Sequence, residues 1–195
     1  MTVTPKMLPL ALSLIVSACG GSTAQDTVDD TVDIVANADS LFLAEGFSRE
    51  DELPTTGSVA YSGNITLGYR SPITDELQDD YFIGDITVTS NFDDNEVRGV
   101  ASEFFYVDVF SYASEAEGAL FLNGSILRPS SSAESPVFTG EMSGTLTRNE
   151  FFKHTFDLTV FGSWIGNDYD YMKAIMSGGD SRTAYEVDGS FTAQR

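Results

Sequence analysis

Basic residues are scarce in this 195-residue chain: ten Lys and Arg stand against thirty Asp and Glu, for a formal net charge of −20. A field of that sign repels nucleic acid and anionic membrane surfaces, which excludes partners of both kinds. Cysteine and histidine are scarcer still, with one of each, Cys19 and His154. That is too few for a Cys/His zinc site, so no metal and no cofactor are expected. The spacing provides no Ser-His-Asp arrangement and no Gly-rich strand-to-helix loop for phosphate. The acidic turn Asp93-Asp94-Asn95-Glu96 lacks the ligand spacing of a twelve-residue calcium loop, and no two carboxylates stand out as a glycosidase pair. The expectation is a protein that is not an enzyme. His154, beside Lys153 at the start of a strand, is expected to be a solvated turn residue.

Long apolar runs are also missing. The one such stretch, Met7–Val16, is too short to span a bilayer. It follows Lys6 and leads into Val16-Ser17-Ala18-Cys19. A basic residue, a short apolar core and small residues before a cut describe a bacterial secretion signal over residues 1–18. The placement of the sole cysteine resembles the lipobox of bacterial lipoproteins, which implies that Cys19 is lipidated and becomes the N-terminus. Gly20 stands where aspartate commonly directs retention at the inner membrane, which implies the outer membrane. The lipid would be the only membrane contact.

Residues 19–53 continue after Cys19 with GGSTAQDTVDDTVD, small, polar and acidic, and read as a flexible tether. Some apolar content returns at Ile34–Val35 and Leu41–Leu43, enough for a short piece to dock on the domain that follows.

From residue 54 to 195 the dominant signal is alternation with period two. It is clearest from Phe138 to Trp164. Phe138, Gly140, Met142, Gly144 and Leu146 alternate with polar residues; after a break at Arg148–Lys153 the pattern restarts with Phe156, Leu158, Val160, Gly162 and Trp164. Similar strands are expected around Val59–Leu67, Phe82–Phe92, Glu96–Ser102, Ala119–Arg128, Tyr171–Ser177 and Tyr185–Ala193. The pattern fails across Glu103–Glu117. About eight antiparallel strands without a long helix predict an all-β fold, a single eight-stranded up-and-down barrel, with a sandwich as the alternative. An apolar face turned outward into a membrane would leave Asp85, Glu141, Asp157, Glu186 and Asp188 inside with few bases to pair, so the barrel is expected to be water-soluble with an apolar interior.

Five segments carry a resemblance: Leu53–Asn64, Ile83–Phe104, Phe138–Thr147, Phe161–Asp168 and Val187–Arg195. In order and spacing they are similar to the eight-stranded barrel domain of bacterial transferrin-binding protein B and its relatives. The resemblance implies a surface lipoprotein that captures a ligand, in relatives often an iron protein, haem or a haem carrier. The chain departs from that family at Asp168–Gly179 and has length for one barrel without a handle domain. Any partner would meet the loops, since strands only present them. The candidate contacts are Phe104, Phe105, Tyr106, Phe110 and Tyr112 in the broken stretch, and Tyr169 and Tyr171. The first group reads equally as a strand extension with a bulge. Two other roles are consistent with the sequence: a structural envelope lipoprotein packed on another outer-membrane protein, and a lipocalin-like carrier, which requires an open cavity.

Overall fold

The computed structural model describes residues 42–70, 77–108, 110, 112–183 and 186–195. Cys19, the secretion signal, most of the tether and Tyr185 lie outside these residues. Eight strands follow in order: β1 (Ser58–Arg70), β2 (Leu77–Asn91), β3 (Glu96–Val107), β4 (Ala113–Leu127), β5 (Val137–Arg148), β6 (Phe152–Ile165), β7 (Tyr171–Asp180) and β8 (Glu186–Gln194). Each pairs antiparallel with the next and β8 returns to β1, giving a closed up-and-down barrel. The only helix among the described residues is a single turn at 42–45. Closure removes the sheet edges that an open sheet would expose.

The interior is apolar and filled. Trp164, Tyr61, Phe82, Phe92, Phe104, Phe138, Phe156 and Phe191 lie inside with at most 1–2% of their surface exposed, among Ile65, Leu67, Ile86 and Leu120. An eight-stranded barrel has an interior just wide enough to be filled by side chains. This packing is the opposite of the cavity that a lipocalin-like carrier requires.

Glycines make room for the largest rings. A Cβ at Gly84 would stand 2.7 Å from the Phe104 ring, and one at Gly162 would run into Phe138. Both glycines are inward positions whose missing side chain is replaced by an aromatic from the neighbouring strand.

The failed alternation at Glu103–Glu117 has a local cause. Glu103 has φ +55°, and the β2–β3 register shifts between Ile83 and Asp85, so two β3 residues oppose one on β2. This β-bulge inserts one residue and reverses the face of everything after it. β3 therefore runs on to Val107 and β4 begins at Ala113, beyond the expected limits at Ser102 and Ala119. β7 likewise continues to Asp180 instead of ending at Ser177.

Up-and-down connectivity divides the loops between two ends. The turns after β2, β4 and β6 lie at one end with the segment 42–57. β1, β3, β5 and β7 end at the other, the far end. The first is capped by the incoming chain: Phe47 bridges to Ile165, the Ser48 amide donates to the Trp164 carbonyl at 3.0 Å, and the Ser48 hydroxyl donates to the Gly166 carbonyl. Arg128 braces this cap through Glu50 (2.6 Å) and the Pro54 carbonyl, and Leu53 is buried beneath it. Residues 42–53, assigned to the tether from sequence, thus lie against the barrel.

Candidate functional site at the far end of the barrel

The rim of the far end is built by strand phase. Inward positions alternate along β6 from Trp164 through Val160, Leu158 and Phe156 to His154 and then Phe152. The same alternation brings Arg148 of β5, Tyr106 of β3 and Asp180 of β7 to this level. Side chains here include charged and polar groups, where those deeper in are apolar.

The lower layer is a buried cluster. Asp180 Oδ2 accepts from the Tyr69 hydroxyl at 3.0 Å and from His154 Nδ1 at 2.7 Å. His154 is 5% exposed, against the expectation of a solvated turn residue. The hairpin turn ends at Phe151, so His154 already stands two residues into β6, in phase with Phe156 and stacked on it. Phe82 meets the imidazole edge-on at 5.2 Å. His154 Nε2 is buried with no hydrogen-bond partner. Burial pushes the Asp180 carboxyl up, but hydrogen bonds from His154, the Arg182 amide and Tyr69 outweigh it, and the net direction is down. Burial is the first cause raising the Tyr69 hydroxyl well above its ordinary value, with the Asp180 charge adding to it.

Above this cluster lies a layer of stacked cations and rings. The Arg148 guanidinium sits 3.8 Å over the Tyr106 ring and 5.3 Å from the centre of Phe152, and the Arg182 guanidinium lies 4.5 Å from Phe152. The Tyr106 hydroxyl donates to Asp80 at 2.7 Å. At the margin three aromatics are strongly exposed: Phe110 (77%), Tyr112 (73%) and Phe151 (79%). Glu115, Glu117 and Glu150 line a groove beside them with Thr147 and Asn149.

The structure divides the sequence-predicted contact residues among three environments. Phe104 is a core residue, 1% exposed. Phe105 and Tyr106 are half-buried in β3, while Phe110 and Tyr112 project from the β3–β4 connection. Tyr169 and Tyr171 are at the opposite, capped end. There Tyr169 packs against Phe92 and lies under Arg195, and Tyr171 opens β7 opposite Ile165. The two groups cannot form one surface. Sequence reasoning missed Phe151 and Phe152, counted within a polar break; two consecutive phenylalanines in a hairpin turn were the available signal.

A second feature lies on the outer wall at the capped end. Phe42, Phe47, Phe161, Ile165, Ala174 and Ile175 line an apolar groove of about 300 Å³.

These features describe a closed barrel with a filled interior, one end sealed by its own chain and the other bearing exposed aromatics. Solved structures with this fold include two of the vaccine antigen transferrin binding protein B from Haemophilus parasuis Hp5, one a single and one a double mutant. The single mutant aligns with a TM-score of 0.51 at 14% identity over 76% of this chain and 28% of that one. The double mutant gives 0.50 at 15% over 76% and 27%. The likeness is one of fold, and this chain spans a little over a quarter of the length of those proteins. No family model and no curated protein matches the chain.

Proposed function

We propose that this protein is a lipid-anchored binding module of the outer membrane, held through Cys19, that engages a partner protein through the far end of its barrel. The observation that carries this reading is the concentration of exposed Phe110, Tyr112 and Phe151 at one end. Large aromatics that burial would desolvate are the side chains that anchor interfaces. The other end is occupied by residues 42–57, and the interior by the core, so of the two ends the far one is open for recognition. The likeness in fold to a transferrin binding protein supports capture of an iron protein, haem carrier or other nutrient source as the setting. The role is binding, with no reaction assigned. Co-purification from crosslinked membranes tests it: the wild-type chain should retain a partner that the variant F110S/Y112S/F151S loses while keeping its thermal transition. Equal recovery by both would refute the reading.

The outer-wall groove favours a second reading, in which Phe42, Phe47, Phe161 and Ile175 pack on another envelope protein. Loss of the partner on F161S/I175S, and not on the far-end variant, would identify that case.

A further inference from the structure

We infer that the rim of the far end is a receptor for a single carboxylate or phosphate group, held between Arg148 and Arg182 across the face of Phe152. The inference rests on the reading of this end as the contact surface and names the chemistry it accepts.

Acids outnumber bases three to one in this chain, and four arginines elsewhere take partners accordingly. Arg49 pairs with Asp51 and Glu52, Arg98 with Glu96, Arg128 with Glu50, and Arg195 with Asp170. Arg148 and Arg182 differ. Like Arg128 and Arg195 both lie on aromatic rings, but among the described residues no ion pair joins either guanidinium to a carboxylate. Two of the nearby acids are otherwise engaged. Asp180 accepts from His154 and Tyr69 on one oxygen and from the Arg182 backbone amide on the other, and Asp80 accepts from Tyr106.

Stacking occupies the flat face of a guanidinium and leaves its N–H edge for an oxyanion, the arrangement suited to bidentate recognition. Both arginines contact the same ring, at 5.3 and 4.5 Å, so their guanidinium carbons are at most about 10 Å apart. Within the shorter part of that range one tetrahedral or planar anion reaches both. Arg148 Nε and His154 Nε2 are each buried without a hydrogen-bond partner, the second polar deficit of this end. Arg182 and Phe152 are exposed, so the group is reached from solvent. The glutamates Glu115, Glu117 and Glu150 beside the rim would repel a long polyanion. That limits the ligand to one acidic group, on a side chain, a chain terminus or a phosphorylated or small-molecule ligand.

The test follows arginine Nε–Hε resonances of the full chain by NMR, in separate titrations with sodium acetate and sodium phosphate at ionic strength held constant with sodium chloride. Arg148 and Arg182 should shift saturably while Arg98 does not. R182Q, at an exposed position, should abolish saturation at Arg148 and leave the amide spectrum otherwise unchanged. Saturation by acetate assigns a carboxylate ligand, and saturation by phosphate alone assigns a phosphate. Shifts at Arg148 and Arg182 no larger than at Arg98 in both arms, or unchanged saturation in R182Q, would overturn the inference. No partner protein enters this experiment, so its failure is distinct from failure of the proposed function.

Discussion

Asp180 is where a single residue couples the rim to the core. Its carboxyl is held below the ordinary range in the folded protein, so the unfolded chain binds more protons wherever pH falls between the two values. The resulting stability is fully present above the usual carboxylate value of about 4 and disappears as pH falls through the lowered one. Asp180→Asn should cost about 1.5–3 kcal/mol at pH 7, the range for hydrogen bonds to a charged group. The difference from wild type should shrink on acidification to pH 3, as read by urea denaturation. A second residue-scale contrast separates the two aromatic classes. Phe104→Ala should cost about 3–5 kcal/mol because it opens a cavity against Gly84. Phe151→Ala should stay within about 0.5 kcal/mol because its ring is already in water. Thermal denaturation of the two variants checks both expectations.

At the scale of elements, the strands were legible in the sequence because alternation is enforced wherever one face is dry. β5 and most of β6 follow it residue by residue. The bulge at Glu103 was not legible as such, because an inserted residue looks like lost periodicity while the strand itself continues. The burial of His154 was within reach, since it shares the phase of Phe156 and Leu158, but the charged neighbours Arg148 and Lys153 disguised where the turn ends. In that turn Asn149 and Glu150 both have positive φ (51° and 61°), and the Arg148 carbonyl accepts from the Phe151 amide. Two left-handed residues in succession describe a primed hairpin turn, where glycine is favoured at the second. Glu150→Gly should therefore raise stability by about 1 kcal/mol, seen as a higher Tm with no change in the sheet signal by circular dichroism.

For the whole molecule, the up-and-down course decides which loops can act together. Connections after odd-numbered strands share one end and those after even-numbered strands the other. The pairing of Phe110 and Tyr112 with Phe151, and their separation from Tyr169, thus follows from the order of strands. Sequence identified aromatic candidates but not their assortment, because the hairpin at Asn149–Phe151 was read as polar and residues 42–53 as tether. The capping segment is itself structural. Arg128→Ala removes the pairing to Glu50 and the bond to the Pro54 carbonyl, and should cost about 2 kcal/mol. Faster amide exchange confined to the capped end would be its signature.

Site-specific photocrosslinking in the native envelope tests partner binding at the far end most directly. With benzoylphenylalanine in place of Tyr112 or Phe151, irradiation should yield a discrete adduct with one partner protein, and in place of Tyr169 it should yield none. An adduct from the Tyr169 position, with none from Tyr112 or Phe151, would contradict the account.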